Sequence, residues 1–374
     1  MLKQAWHMLQ NFREPTAPLT VALDITSRCN SRCVYCEVWK KKDFSADLTP
    51  EDVDRIVDQS EAAGVRNIII SGGEATVYSD LFRLLRDLKE RRFHVTLLTN
   101  ALLFKPGVSQ EKVDVLNRCV DSIQFSLDST DAKQYEELRG VPGVDRVARA
   151  LQLISGPTRA LSCVVSSENL SEIDAILRFG AEHRADYVGF QPLNIATVFF
   201  DIPALEGKDQ YLVPQEKFAP MRAALKDGIE LARELGVDTN LEQLNTWIEP
   251  FFRYSQVEGE DYFFNHVPGL KKFKCIFPSQ SIYINAEGEM TPCRLLPSVG
   301  NVKGKNFIEE WRTNRGMNEI RDNLKRGIYY EECKTCYCQF PPNLIYSLMR
   351  DPISNYQLLR HILPDAIWRA RKFA

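Results

Sequence analysis

Ten cysteines occur among the 374 residues of this chain, and three of them share one short segment near the N-terminus. Cys29, Cys33 and Cys36 are separated by three and two residues, so one loop could bring their thiolates to a single soft metal centre. No fourth cysteine is near, whereas ferredoxins and structural zinc sites usually use four protein ligands. Three thiolates on an iron–sulfur cluster would leave one iron open to a substrate or cofactor. A structural zinc site and a plant-type ferredoxin loop remain as alternatives.

A second group of cysteines lies toward the C-terminus. Cys333, Cys336 and Cys338 are separated by two residues and one residue, and Cys275 and Cys293 precede them. A predicted hairpin ends at Cys293 and would place the Cys293 thiolate beside a second cysteine thiolate of this group. These five thiols are enough for one further four-ligand centre, which is an iron–sulfur cluster or, alternatively, a structural zinc ion.

Glycines and polar residues follow the predicted strands. Gly72 and Gly73 come directly after one strand, and two glycines let the backbone approach a ligand closely. Glu74 then supplies a negative charge that suits an ammonium group. Asn100 ends the next strand, where it either lines a pocket or holds the local structure.

Three further strand ends carry groups that can bind a nucleoside or a carboxylate. Ser126 and Asp128 lie on the same face because side chains alternate along a strand, and together they could bind ribose hydroxyls or cap a helix. Arg139 suits a carboxylate by bidentate geometry, with a surface ion pair to a neighbouring glutamate as the alternative. Gln191 could reach adenine or substrate, or satisfy core polar groups.

The elements that position these residues follow a repeating pattern. Six β-rich runs alternate with amphipathic helical segments, which predicts parallel βαβ units closed or partly closed as a barrel. Active sites of such barrels lie at the C-terminal ends of the strands, where the motifs above also fall. The predicted strands cover residues 19–26, 67–71, 94–99, 122–127, 160–165 and 187–193, and the predicted helices cover 50–64, 79–91, 109–118, 131–154 and 169–183.

The pattern changes after about residue 200. A helix is predicted over 215–235, a hairpin over 281–293 and a helical segment over 306–326, with an irregular aromatic stretch over 240–273. The tail 343–374 interleaves apolar and basic residues. It favours a helix packed on the barrel over one that lies on a membrane surface.

The first cysteine segment, with Tyr35 directly before the last thiol, resembles the signature of the radical S-adenosylmethionine (SAM) superfamily. In that family three cysteines bind a [4Fe–4S] cluster, and the amino and carboxylate groups of SAM chelate the open iron. The resemblance implies that Gly72, Gly73 and Glu74 contact the methionine amino group. Proline often follows that motif in the family, whereas this chain has Ala75.

The resemblance also assigns the other polar residues. Ser126 and Asp128 would bind the ribose, Arg139 the methionine carboxylate, and Asn100 and Gln191 would line the cofactor pocket.

The later cysteines, together with Gly288, resemble the cluster-binding region of SPASM and Twitch domains. A full SPASM pattern needs seven cysteines for two auxiliary clusters. Five cysteines therefore imply one auxiliary [4Fe–4S] cluster, as in the shorter Twitch type. Cys338 departs from the usual spacing, so either Cys336 or Cys338 would be the fourth ligand.

The fold implied is α/β: a partial (β/α)6 TIM-like barrel with a small C-terminal α+β iron–sulfur domain. Such an enzyme reductively cleaves SAM to a 5′-deoxyadenosyl radical, which abstracts a hydrogen atom from the substrate. The predicted organisation is an N-terminal extension (1–18), the core barrel (19–200), a bridging region (201–273), a SPASM/Twitch-like domain (274–342) and an amphipathic tail (343–374).

The auxiliary cluster would assist a net oxidation, crosslink or epimerisation of a peptide or of a sugar-like or lipid-like small molecule. A reductant such as flavodoxin or ferredoxin is the expected partner. Two alternatives remain, a non-catalytic iron–sulfur or zinc scaffold and a radical SAM methyltransferase.

Composition and charge argue against nucleic-acid-binding, membrane-spanning and secreted proteins. The formal net charge of −3 offers no global basic field for nucleic acid. No apolar run approaches the roughly 20 residues of a membrane span, and the N-terminus lacks a secretory signal. A cytoplasmic protein is expected, in which clustered cysteines indicate metal ligands. The isolated Cys119 and Cys163 are expected to pack as small hydrophobic side chains.

Overall fold

The computed structural model describes residues 10–11, 13–194, 209–257 and 274–336. The predicted tail 343–374 and Cys338 lie outside these residues. No helix in the described ranges is long and apolar enough to cross a membrane.

An open nine-stranded sheet forms the centre of the fold, with the strand order β6-β5-β4-β3-β2-β1-β7-β8-β9. The first six strands are parallel and match the six predicted ones, which confirms the predicted partial barrel. The sheet is not closed, because β6 and β9 form its two edges. The strands are β1 Thr20–Asp24, β2 Asn67–Ser71, β3 His94–Thr99, β4 Ser122–Ser126, β5 Thr158–Val165, β6 Tyr187–Pro192, β7 Ser281–Ile284, β8 Glu289–Thr291 and β9 Gly300–Asn301.

Helices connect the parallel strands. The first begins where predicted: Thr49 and Asp52 form a reciprocal capping box, and Pro50 occupies the first helical turn. The helices are α1 Pro50–Ala62, α2 Leu81–Glu90, α3 Gln110–Cys119, α4 Ala132–Arg139, α5 Val144–Leu153, α6 Ile173–Glu182, α7 Phe218–Leu235, α8 Leu241–Asn245, α9 Ile248–Pro250, α10 Phe277–Gln280, α11 Phe307–Thr313 and α12 Arg315–Arg326, with a π-helical turn at Phe251–Val257.

Two segments predicted as single helices are divided in the structure. The predicted helix over 131–154 ends at Arg139, because Gly140 adopts a left-handed conformation with φ of +69°. The predicted helical segment over 306–326 is interrupted at Asn314, whose side chain accepts a hydrogen bond from the backbone of Met317 and caps α12. The first division places the end of α4 beside the cysteine loop.

Successive side chains of each strand point to opposite faces of the sheet, one packed against the helices and the other toward the barrel interior. Val21 and Leu23 of β1 are at most 1% exposed and belong to the hydrophobic core. Asp24 lies on the opposite face, in register with Ser71 of β2. The carboxyl edge of the sheet therefore presents polar side chains to the interior, as the strand-end motifs require.

The predicted hairpin is formed by β7 and β8. Its attachment to the core sheet was not predicted from the sequence. β7 pairs in parallel with β1, with Thr20 opposite Ser281 and Leu23 opposite Ile284. One sheet thus continues from the core barrel into the predicted C-terminal domain. The boundaries of the two domains remain a prediction.

A buried polar contact supports this junction. The Tyr283 hydroxyl donates to the Asp24 carboxylate, and the Arg294 guanidinium lies 4.8 Å from the centre of the Tyr283 ring. Burial raises the pKa of Asp24, and Arg294 and Tyr283 partly oppose that shift. Removing the hydroxyl would leave a buried acceptor without its donor.

We expect Tyr283→Phe to lower the free energy of unfolding by about 1–3 kcal/mol, the cost of an unsatisfied buried acceptor. Urea denaturation followed by circular dichroism measures the change. Tyr78→Phe is the matched control, because the buried Tyr78 hydroxyl makes no hydrogen bond in the structure. Equal effects of the two substitutions would contradict a specific contribution from the Tyr283–Asp24 contact.

Candidate functional site

The three clustered thiols lie on the irregular loop between β1 and α1. Cys33 is buried, and Cys29 and Cys36 are half-buried. The loop turns back on itself, because the Cys36 amide donates to the Cys33 carbonyl over 3.1 Å. The Ser31 amide lies 3.4 Å from the Cys29 sulfur. All three thiols therefore belong to one compact turn at the carboxyl end of β1.

The protonation of these thiols reflects their surroundings. Burial, with smaller contributions from Glu74 and the other two thiols, raises the pKa of Cys29 to about 12. Burial and the neighbouring Cys33 likewise raise the pKa of Cys36 to about 11. A bound metal centre would supply the positive charge that stabilises three adjacent thiolates. The donor set and its burial therefore fit a [4Fe–4S] cluster held by Cys29, Cys33 and Cys36.

The loop after β2 packs directly on the cysteine loop. The Gly73 amide donates to the Thr26 carbonyl, and the Glu74 amide donates to the Arg28 carbonyl, both over 2.8 Å. A Cβ on Gly72 would lie 2.5 Å from the Thr26 oxygen, and one on Gly73 would collide with the Arg28 carbonyl. The sequence predicts that these glycines admit a ligand. In the structure the group that they admit is the cysteine-loop backbone.

The Asn100 side chain holds the same loop, and the Glu74 side chain holds the backbone of Asn100. The buried Glu74 carboxylate accepts from the Thr99 hydroxyl and from the Asn100 amide, each over 2.7 Å. The Asn100 side chain in turn donates to Asn30 at 2.8 Å and to Ser31 at 2.9 Å. This arrangement supports the structural alternative for Asn100. Contacts of Glu74 and Asn100 with a cofactor remain predictions.

Asp128 and Arg139 form a buried pair beside Cys33. The Arg139 Nε lies 2.6 Å from Asp128 Oδ2, and its Nη1 lies 3.8 Å from the Cys33 sulfur. The Tyr35 hydroxyl also donates to Asp128, and the Val164 amide donates to its Oδ1 over 2.8 Å. Arg139 thus pairs with a buried aspartate and not with a surface glutamate. The predicted ribose and methionine-carboxylate contacts of this pair remain predictions.

Ser126 and Gln191 face the barrel interior from two strand ends. Ser126 is opposite Ser162, and Gln191 is opposite Val164, so both project from the same region of the sheet. Each is half-buried. Their placement is consistent with side chains that line the cofactor pocket. Their contacts with a cofactor remain predictions.

The second group of cysteines meets in a small apolar cluster. Cys333 is buried in it, and Cys275 and Cys293 pack against it. Burial, with a smaller contribution from the Cys293 thiol, raises the pKa of Cys333 to about 12. The Cys336 amide donates to the Cys333 carbonyl over 3.1 Å. The apolar partners of these thiols are Leu296, Ile320 and Leu324.

Four of the five predicted auxiliary ligands are therefore brought to one region of the described chain. Their soft donor set fits an iron–sulfur cluster. Within the described ranges, no three His, Cys, Asp or Glu side chains already converge on a point that one metal ion could occupy.

We expect Gly73→Ala to displace the cysteine loop, because the added methyl group would meet the Arg28 carbonyl. Iron bound at the first site after anaerobic reconstitution should fall sharply. Gly316→Ala is the control, since its Cβ would find no atom closer than 3.4 Å. Wild-type iron binding by the Gly73→Ala protein would contradict the requirement for close backbone packing.

Two family models match the chain. Residues 23–180 match the radical SAM superfamily, and residues 275–337 match the SPASM iron–sulfur cluster-binding domain.

Relatives share one or both regions. An AdoMet-dependent heme synthase of Methanosarcina barkeri is 24% identical over 336 residues, which cover 86% of this chain and 91% of that protein. The mycofactocin maturase MftC of Mycolicibacterium smegmatis is 30% identical over 172 residues, or 45% of this chain and 43% of that protein. A probable GTP 3′,8-cyclase of Pyrococcus horikoshii is 28% identical over 181 residues, and the match spans only 56% of its length.

Solved structures share the fold. SuiB of Streptococcus suis, bound to the precursor peptide SuiA, has a TM-score of 0.59 at 18% identity, covering 92% of this chain and 76% of SuiB. anSMEcpe with bound AdoMet has a TM-score of 0.59 at 17% identity, covering 94% of this chain and 98% of anSMEcpe. The two matched domains imply a SAM-binding [4Fe–4S] cluster and an auxiliary cluster. Together they span more than half of the chain, which belongs to the radical SAM superfamily and carries a C-terminal SPASM domain.

Proposed function

We propose that this enzyme binds SAM at the cluster held by Cys29, Cys33 and Cys36 and uses it to remove a hydrogen atom from a substrate in the barrel. The observation that carries the proposal is the three-thiol loop, which is fixed at the carboxyl edge of an open parallel sheet. When bound, the reduced cluster supplies the electron that cleaves SAM to methionine and a 5′-deoxyadenosyl radical.

The protein's own residues position and enclose this chemistry. Gly73 and Glu74 fix the cysteine loop through its backbone, and Asn100 fixes it through its side chain. We assign Ser126 and Gln191 to the cofactor pocket, because both face the interior at the carboxyl edge. Orientation and exclusion of water are the main contributions that a protein makes to such cofactor chemistry.

The auxiliary site favours a net oxidation or crosslink over methyl transfer. Cys275, Cys293 and Cys333 meet at one apolar cluster, and we assign Cys336 or Cys338 as the fourth ligand of the auxiliary iron–sulfur cluster. The pairing of β7 with β1 connects this site to the strand that precedes the cysteine loop. An electron that leaves the substrate would thus find an acceptor beside the hairpin that extends the same sheet. Epimerisation is the third outcome consistent with the two clusters.

The substrate is a peptide or a small molecule. Two similar proteins support a peptide substrate. SuiB, which shares the fold, was solved with a bound precursor peptide, and MftC, which is similar in sequence, is a maturase. The heme synthase match runs through both domains, which makes a heme precursor a second candidate. We further assign a cytoplasmic location and a reductant such as flavodoxin or ferredoxin.

Anaerobically reconstituted and reduced protein should convert SAM to 5′-deoxyadenosine, measured by liquid chromatography. Cys33→Ser should abolish this product, because it removes a ligand of the first cluster. Cys119→Ser is the matched control, since Cys119 ends α3 with Arg118 and Lys89 as charged neighbours and should leave the product unchanged. No 5′-deoxyadenosine from the wild type would favour the scaffold alternative, and a methylated product would favour the methyltransferase.

Iron analysis separates the two sites. The wild type should bind about eight irons per chain, as expected for two [4Fe–4S] clusters. Cys293→Ser should retain about four irons and still cleave SAM, whereas Cys33→Ser should retain about four and not cleave it. About four irons in the wild type, or zinc in the second site, would contradict the auxiliary cluster.

A further inference from the structure

Arg139 brings a buried positive charge to one ligand of the first cysteine group. It is the last residue of α4 and is 8% exposed, and its partner Asp128 is fully buried. The contact of 2.6 Å between Nε and Oδ2 is an ion pair without an aligned hydrogen bond. Charges in such a setting are weakly screened by water.

The guanidinium lies next to Cys33 in particular. Its Nη1 is 3.8 Å from the Cys33 sulfur. The sulfurs of Cys29 and Cys36 instead accept from the backbone amides of Ser31 and Val38. The three thiols therefore differ in their electrostatic surroundings.

The backbone keeps the arginine in this position. The Arg32 amide donates to the Arg139 carbonyl, and the Val34 amide donates to the Leu138 carbonyl, both over 3.0 Å. A Cβ on Gly140 would lie 2.6 Å from Arg32, so the helix end fits against the cysteine loop only with glycine there. Two hydrogen bonds and a close contact thus attach α4 to the loop.

Asp128 is fixed just as firmly. Its Oδ1 accepts from the Val164 amide, and Tyr35 donates to its Oδ2. Its carbonyl accepts from the Asn169 side chain over 2.9 Å. Movement of Arg139 toward another anion would leave a buried carboxylate without its cation, which is energetically costly.

We propose that Arg139 is a positioning residue that holds a fixed positive charge on Cys33 and thereby raises the reduction potential of the SAM-binding cluster. Reduction adds a negative charge to the cluster, and an adjacent cation stabilises that state. Asp128 opposes this effect and limits its size. The proposal rests on the proposed function, because it needs a cluster bound by Cys29, Cys33 and Cys36.

A redox titration of the reconstituted holoenzyme, followed by electron paramagnetic resonance, tests the proposal. A Cys293→Ser background leaves the first cluster as the source of the signal. Arg139→Gln should lower the equilibrium constant for one-electron reduction at least tenfold, a shift of about 59 mV to lower potential. Arg139→Lys keeps the charge and should restore most of the wild-type potential. Asp128→Asn should shift the potential in the opposite direction, because it removes the opposing carboxylate.

Arg159→Gln is the matched control. Arg159 pairs with Asp186 at 3.3 Å at the amino end of β5, remote from the cysteine loop, so its loss should leave the potential unchanged. A merely structural role for Arg139 predicts shifts of the same direction in the Arg139→Gln and Asp128→Asn proteins, because both would loosen the loop. That result would overturn the proposal.

An unchanged potential in Arg139→Gln with full iron content would also overturn it. If Arg139→Gln binds no iron, Asp128→Asn decides: a higher potential supports the proposal, and an equal or lower one overturns it. Absence of a first-cluster signal from the wild type would contradict the proposed function itself. If the wild type shows the cluster signal but neither Arg139→Gln nor Asp128→Asn changes its reduction potential, only the role of Arg139 is contradicted.

Discussion

The functional end of this protein depends on how a loop without regular structure is held while it presents three thiols. The backbone of the next strand's loop provides the main attachment, through hydrogen bonds from Gly73 and Glu74 to carbonyl groups of the cysteine loop. These bonds need a very close approach of two backbones, which only glycine permits. The thiols can then be buried together, although burial disfavours their charged form until a metal centre is bound.

A second constraint is the continuity of the sheet. β7 extends the parallel sheet beyond β1, and the Tyr283–Asp24 contact is buried at this junction. The strand that leads into the cysteine loop is therefore also the strand that anchors the C-terminal hairpin. This arrangement relates the two proposed clusters through one continuous sheet.

Electrostatics adds a level of control that the ligands alone do not provide. The first cysteine group has a buried cation at one thiol, from Arg139, and a buried carboxylate, Glu74, that raises the pKa of another. The auxiliary cysteines lie among apolar side chains instead. Two clusters of the same composition would therefore experience different surroundings, and such differences set reduction potentials.

The sequence by itself determined the parallel strands, both cysteine groups and the family, because hydrophobic alternation and cysteine spacing are local properties. That Ser126 and Gln191 project from the same face became clear only from the register of β4, β5 and β6. The partners of Gly73, Asn100 and Arg139 were decided only by the tertiary structure. Each contacts a loop distant in sequence, and close backbone packing and buried ion pairs arise only when the strands stand side by side.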